Sequence, residues 1–337
     1  TNHSYFMEKS ILVFTNGEKL GDGIIKLPLL HEIKKRLPNY LLIWMTNKGK
    51  TVYNSFLQSI AAQYIDEIIE QADLNPFFWQ GVSNSYNFQN KKYEYILDTQ
   101  KAIFRTFALK RIKCEHFISA AGNGLFSSTS INKQSKNIRQ YYLDGLFNLL
   151  NVIKPDKIDD TFKINIPEQL EKKLALIFKS QNKYIGIAPG AGEKNKIWPI
   201  EKFIEVGKYF EKKSYIIVLY LGPNEIKIKH QLIAKFPKAV IPEDIIKDFS
   251  NIEIVMGSTK FINCAVANDS GIAHMLSTKY CPVIKLFGHK DSNKFTPQHK
   301  NLIPINSSEF NSRDVKIIPT VRVIREINKV IGWTIER

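Results

Sequence analysis

The stretch Cys264-Ala265-Val266-Ala267-Asn268-Asp269-Ser270-Gly271-Ile272-Ala273-His274 decides the fold. Residues 264–267 form a short apolar run of strand type, and the polar Asn-Asp-Ser-Gly turn after it opens a helix over 272–278. A second apolar run, 282–287, comes next. Strands alternating with helices at this spacing need crossover connections, so they lie parallel in one sheet.

The same alternation extends in both directions. On the N-terminal side stand a strand at 184–188, a helix at 200–212, a strand at 215–221 and a helix at 225–236; an amphipathic helix at about 321–331 closes the chain. The front half repeats the pattern. A strand at 11–15 leads into a turn with Gly17, Gly21 and Gly23, then a helix over 24–37 ended by Pro38. Further strands are expected at 41–45, 65–69, 95–97 and 115–118, with helical segments at 51–60 and 102–111. Residues 154–167 are polar, with Pro155, Asp159, Asp160 and Pro167, and read as a linker. The expectation is an α/β protein of two doubly wound domains, 1–153 and 169–337, joined through 154–168. A ligand cleft is expected between them, where the carboxyl ends of the strands face each other.

A chain of 337 residues is long enough to give each domain its own core. Its 44% hydrophobic and 24% charged content is that of a soluble globular protein. No apolar run approaches the roughly 18–20 residues that span a bilayer. Residues 1–9 lack the apolar core of a signal peptide, so a cytoplasmic protein is expected. Cys114, Cys264 and Cys281 are an odd number without a CxxC pair and read as reduced thiols, two of them buried. The net charge of +16 favours an anionic partner: nucleic acid, an anionic membrane face or a phosphorylated substrate. Yet lysines are spread along the chain and recur on polar helix faces, as at Lys34, Lys35, Lys202, Lys208, Lys227 and Lys229. Charge alone decides little.

Four stretches carry chemistry. In the first, Asp269 or Ser270 caps the helix, whose free amides then point at an anion; His274 follows one turn later on the face of Ser270. Read plainly, these are a cap and a packed imidazole. The second is Ala188-Pro189-Gly190-Ala191-Gly192-Glu193-Lys194-Asn195-Lys196-Ile197-Trp198-Pro199. Gly190 and Gly192 permit close backbone approach, Lys194 and Lys196 bring positive charge, and the loop reads as a pyrophosphate cradle. It is not a Walker loop, since GK[ST] is missing. Third, Leu221-Gly222-Pro223-Asn224-Glu225 sets a carboxylate after a strand, suited to ribose hydroxyls or equally to a helix first turn. Fourth, Lys19-Leu20-Gly21-Asp22-Gly23 gives a glycine-flanked carboxylate, placed to act as a general base or simply to cap a helix.

Each stretch is common alone, but their order and spacing are not. With Leu286-Phe287-Gly288 closing the series, and Leu97-Asp98-Thr99-Gln100 before a helix bearing Arg105, the chain resembles glycosyltransferase family 9 over nearly its whole length. That family comprises the ADP-heptose:lipopolysaccharide heptosyltransferases. The resemblance implies a GT-B fold: two Rossmann-like domains, the first for the acceptor and the second for the nucleotide sugar. It implies an inverting, metal-independent transfer with no cofactor beyond an ADP-sugar donor. Asp22 would remove the acceptor proton; Lys196, the amides of Ser270 and Gly271 and the helix dipole would stabilise the leaving diphosphate. Asp269 would hold donor hydroxyls, Glu225 the adenosine ribose, and His274 would brace the loop, with Gly190, Gly192 and Lys194 completing the nucleotide site. The partners implied are a nucleotide sugar and a lipid-linked or glycan acceptor, with peripheral contact at the anionic inner membrane and no nucleic acid.

The chain departs from the family in places. Asn16 stands where a basic residue is usual, Glu18-Lys19 replace small residues, and His289-Lys290 replace a Pro-Thr pair. These changes leave open a relative that uses another nucleotide sugar on a surface glycan or protein. A GT-B-like nucleotide-sugar 2-epimerase is a different class, needing no acceptor. A basic nucleic-acid binder would need a clustered face with aromatic platforms. Only 76–87 with Lys91-Lys92 offers one, and it reads better as a loop over the acceptor or at a membrane surface.

Overall fold

The computed structural model describes residues 9–74, 91–128, 142–157, 164–278, 281–288 and 302–335. The chain divides into two compact units, Thr1–Phe162 and Lys163–Arg337.

The first unit is built on five parallel strands: β1 (Ser10–Thr15), β2 (Leu41–Thr46), β3 (Glu67–Ile69), β4 (Tyr93–Asp98) and β5 (Cys114–Ser119), in the order β3-β2-β1-β4-β5. The helices are α1 (Leu20–Arg36), the short α2 (Gln58–Ala61), α3 (Ile103–Leu109) and α4 (Tyr142–Ile153). β1 is buried at all six positions, as a central strand covered on both faces must be. Strand order reverses between β1 and β4, and ligands of doubly wound sheets bind outside the carboxyl ends of the strands at such a point.

Two sequence expectations are corrected here. α1 starts at Leu20, not at residue 24, so Gly21, Asp22 and Gly23 lie in its first turn rather than in a loop. Tertiary packing overrides the poor helix propensity of glycine: a Cβ on Gly23 would stand 2.3 Å from Val52 Cγ2, and the Tyr53 hydroxyl donates to Gly23 O at 2.7 Å. This glycine serves helix packing. The helix expected over 51–60 is instead a 3-10 turn, Val52–Asn54, followed by α2. Thr51 caps the turn through Tyr53 N, and Glu70 accepts from Thr51 N, fixing the chain in a bend.

The second unit repeats the architecture with β6 (Lys183–Ala188), β7 (Tyr215–Leu219), β8 (Cys264–Asn268), β9 (Val283–Phe287) and β10 (Leu302–Asn306), all parallel in the order β10-β9-β8-β6-β7. Its helices are α5 (Glu168–Ile177), α6 (Ile200–Glu211), α7 (Ile226–Lys235), α8 (Pro242–Ile245), α9 (Asn251–Ser258), α10 (Gly271–Leu276) and α11 (Thr320–Ile335). Here the order reverses between β6 and β8. The core packs Trp198, Phe203, Phe210 and Phe236 against the sheet and Val323 and Ile327 of α11. Cys264 and Cys281 are buried and reduced. Among the described residues no helix is long and apolar enough to cross a membrane.

Candidate functional site

The loops that leave β6 and β8 meet at the switch point of the second sheet. Asn268, the buried last residue of β8, joins them: its Nδ2 donates to Pro189 O at 2.7 Å and its Oδ1 accepts from Trp198 N at 3.1 Å. Trp198 is anchored in turn by its indole N–H to Ile318 O at 3.0 Å. Both ends of the 189–198 loop are therefore tied to one side chain, which fixes where Gly190, Gly192, Lys194 and Lys196 lie.

Of the two candidates for the cap of α10, Ser270 takes the role and accepts from Ala273 N at 3.3 Å. Asp269 is thereby free for another task. Its Oδ1 lies 3.0 Å from Lys285 Nζ and its Oδ2 lies 3.3 Å from Lys196 Nζ, which also reaches Glu193 at 3.1 Å. Burial alone would raise the Asp269 carboxyl, but the ammonium groups, Lys285 foremost, hold it below the usual carboxylate range. Lys194 is exposed and outside this cluster. α10 is only six residues long. The fixed positive charge of the site therefore comes from two lysines more than from a helix terminus.

His274 follows Asp269 by one turn, its Nε2 3.5 Å from Lys285 Nζ. Burial first, and the Lys285 ammonium next, push the imidazole well below its usual pKa. An ammonium can only donate, so the neutral ring presents Nε2 as acceptor. His274 thus touches this cluster through Lys285.

Lys285 was not anticipated. The signal was present: a lysine between Ile284 and Leu286 in an otherwise apolar strand, where a charge is found only if a partner awaits it. Asn268 gives no such signal, because its partners Pro189 and Trp198 lie far from it along the chain.

Glu225 ends a 3-10 turn, Pro223–Glu225, after β7. Its carboxylate is seated between two glycine loops: a Cβ on Gly190 would lie 2.5 Å from Oε1, and one on Gly222 2.5 Å from Oε2. Burial raises its pKa, opposed by the amides of Gly222 and of Glu225 itself. Gly192 meets nothing within 4 Å and opens outward. Beside Glu225 lies a pocket of about 230 Å³ lined by Leu221, Gly222, Ile241, Glu243 and Phe249. Glu243 Oε2 is buried without a hydrogen-bond partner among the described residues, and burial pushes this carboxyl up to about 7.

In the first unit Asp22 is exposed in the first turn of α1, and the helix cap is Lys19, without a side-chain hydrogen bond. Glu18 just before it is buried, its Oε1 accepting from Lys26 Nζ at 3.3 Å and Trp44 Nε1 at 3.1 Å. Asp98 is fully buried and accepts from Thr106 Oγ1 and Ser119 Oγ, both at 2.7 Å, and from Gln100 N at 2.9 Å. It organises the loop after β4 rather than facing solvent. Gln100 holds Arg105 at 3.1 Å.

Other expectations fall elsewhere. The segment 76–87, Asp159, Asp160, His289 and Lys290 lie outside the described residues. Lys91 and Lys92 pair with Glu67 and Glu115 at 3.4 and 2.9 Å, which offsets their charge. Among the described residues no group of three His, Cys, Asp or Glu side chains is arranged to hold a metal ion.

Comparison with known proteins follows the same lines. The family described as glycosyltransferase family 9 (heptosyltransferase) matches residues 86–320. The lipopolysaccharide core heptosyltransferase OpsX of Haemophilus influenzae is 21% identical over 288 residues, 82% of this chain and 79% of that protein. A family 9 glycosyltransferase of Veillonella parvula has the same fold, with a TM-score of 0.70 at 17% identity over 96% of this chain and 97% of the other. The E. coli heptosyltransferase WaaC, solved with ADP-2-deoxy-2-fluoro heptose, gives a TM-score of 0.64 at 15% identity, covering 95% of this chain and 99% of WaaC.

Proposed function

We propose, from the premise that this chain belongs to glycosyltransferase family 9, that it transfers a heptosyl unit from ADP-heptose to a hydroxyl of a lipopolysaccharide core acceptor, with inversion and without a metal ion. The observation that carries this reading is the arrangement of Lys196 and Lys285 about Asp269 at the switch point of the second sheet. A diphosphate entering the 190–196 loop competes with Asp269 for Lys196. Lys285 stays behind as counter-ion, so the carboxylate is not left as an uncompensated buried charge when Lys196 turns to phosphate. Asp269 Oδ2 is then available to a sugar hydroxyl.

Lys196 and the amides of Ser270 and Gly271 stabilise the charge that develops on the leaving diphosphate. Glu225 accepts from ribose hydroxyls, and the pocket beside it takes the base. In the first unit Asp22 removes the proton from the acceptor hydroxyl as its oxygen attacks the anomeric carbon and the bond to ADP breaks. A carboxylate is a weak base beside an alkoxide, so proton transfer comes late, once the attacking oxygen has become acidic. The OpsX and WaaC relatives support the choice of donor and acceptor.

The test has two stages. Thermal shifts with ADP, UDP and GDP come first, since a ligand at 100 times its Kd adds roughly 2.7 kcal/mol. Turnover of ADP-heptose with a lipopolysaccharide core acceptor follows. A preference for ADP and acceptor-dependent ADP release are expected. Preference for UDP or GDP would reassign the donor, and nucleotide release without acceptor would point to an epimerase.

A further inference from the structure

Glu18, Asp22 and Lys26 recur at intervals of four, so Asp22 stands midway between a carboxylate just before α1 and an ammonium in its second turn. The two outer groups are withdrawn from water. The side chains of Lys26 and Glu18 are 5% and 0% exposed, and Lys26 Nζ lies 3.3 Å from Glu18 Oε1. Trp44 Nε1 donates to the same oxygen at 3.1 Å, while Glu18 Oε2 is buried without a hydrogen-bond partner among the described residues. Desolvation takes back much of what a buried pair gains by attraction, and an unsatisfied oxygen adds to that cost. Stability alone therefore does not account for the pair. Glu18 is also among the residues in which this chain departs from its family.

The turn that the pair spans lacks the usual supports. Lys19 provides no side-chain cap, and Gly21 and Gly23 are poor helix formers. Side chains hold it instead. Lys26 reaches across the turn to Glu18, and Glu18 is fixed from behind by its own amide, which donates to Lys50 O at 3.3 Å. Trp44 stands edge-on to Tyr53 with centroids 5.0 Å apart, and the Tyr53 hydroxyl donates to Gly23 O at 2.7 Å. A ring of contacts thus runs from Glu18 through Trp44 and Tyr53 back to Gly23, and Asp22 is exposed in the turn that it encloses.

We propose that Glu18 and Lys26 are positioning residues: their pair clamps the first turn of α1 and so holds the Asp22 carboxylate in one place after the carboxyl end of β1. The clamp is independent of the reaction; that it serves catalysis rests on Asp22 being the base proposed above.

Amide hydrogen exchange and steady-state kinetics on the full chain test this together. In wild type the Gly23 amide, bonded to Lys19 O at 3.0 Å, should be protected about a hundredfold despite the two glycines. Glu18→Gln/Lys26→Met removes both charges, strands neither and keeps an acceptor for Trp44, so its melting temperature should stay near that of wild type. Gly23 exchange should nonetheless quicken about tenfold or more, with the amides of β8 in the other unit unchanged. With ADP-heptose and a lipopolysaccharide core acceptor, kcat should fall about 10- to 100-fold at unchanged donor KM, the usual result of a misplaced catalytic group. In an Asp22→Asn background the same two changes should cost nothing more. An unprotected Gly23 amide in wild type, or wild-type exchange in the double variant, would overturn the clamp. Faster exchange with undiminished kcat, beside an inactive Asp22→Asn, would overturn its use in catalysis. Near-normal turnover in Asp22→Asn would instead sink the base assignment, and the clamp would then stand or fall on exchange alone.

Discussion

Lys285 lies in the middle of β9, its side chain wholly buried and its ammonium 3.0 Å from the carboxylate of Asp269. Most other ion pairs among the described residues are on the surface, where a pair contributes little. Removing one partner of a buried pair strands the other. Lys285→Met is therefore expected to destabilise the protein by about 3 kcal/mol, the lower end of the usual cost because Lys196 still faces Asp269. Adding Asp269→Asn to the same protein should return much of that loss. Urea unfolding of the two variants checks it; equal stabilities would mean that the pair is not coupled.

Lys196 is shared between Glu193 and Asp269 before any ligand arrives. If its task is to bind diphosphate, Lys196→Ala should weaken ADP by roughly 10- to 100-fold, the worth of a hydrogen bond to a charged group at about 1.5–3 kcal/mol. AMP, which lacks the second phosphate, should lose much less. Calorimetric titration of both nucleotides separates the cases, and a uniform loss would place Lys196 elsewhere.

Gly190 and Gly192 look alike in sequence and differ in space. A methyl group on Gly190 would meet the Glu225 carboxylate, while one on Gly192 meets nothing within 4 Å. The end of a glutamate can move, so Gly190→Ala should change stability by less than about 1 kcal/mol. It should nevertheless lower ADP affinity about as much as Glu225→Ala, because the carboxylate is displaced. Gly192→Ala should leave stability unchanged and should not disturb Glu225. Titrations on the three variants test the contrast, and a Gly190→Ala protein of full affinity would remove Glu225 from the ribose site.

Lys183–Ala188 and Tyr215–Leu219 were legible because they are largely buried apolar runs, and both lie within two residues of their expected limits. α9 carries a capping box of Ser250 and Glu253 and was still not expected, since its eight residues are too few to show a helical period. β10 escaped because Pro304 interrupts it, which only an edge strand tolerates. At the site, sequence spacing suggested Lys196, Glu225 and Asp269. It did not suggest that Asp269 is held by a lysine 16 positions later, because parallel pairing of β8 with β9, not spacing, sets that contact.

Asp22 stands in the first turn of α1, exposed, beside the buried trio of Glu18, Lys26 and Trp44. If it is the base, Asp22→Asn should lower kcat by about 10²- to 10⁴-fold. ADP affinity and melting temperature should stay within error of wild type, because the nucleotide site proposed above is built from residues of the other unit. Steady-state kinetics with parallel ADP titration gives the answer; near-normal turnover would remove Asp22 from the reaction.

Glu243 gives a pH dependence of stability that runs opposite to that of a salt-bridged carboxylate. Burial lifts its pKa from 4.5 to about 7 in the folded protein. Between those two values the folded state holds a proton that the unfolded chain has released, so folding binds protons there and loses stability as pH rises. The contribution is fully present below 4.5 and gone above about 7, where an ionised carboxylate must sit in a buried position. Glu243→Gln removes the ionisation. The variant should melt at or slightly below wild type at pH 4.5, and its advantage should grow from there to about pH 7 and level off above it. Melting curves at half-unit steps of pH follow that gap directly. A gap of constant size would show that Glu243 titrates as an ordinary surface acid and that its Oε2 is not withdrawn from water.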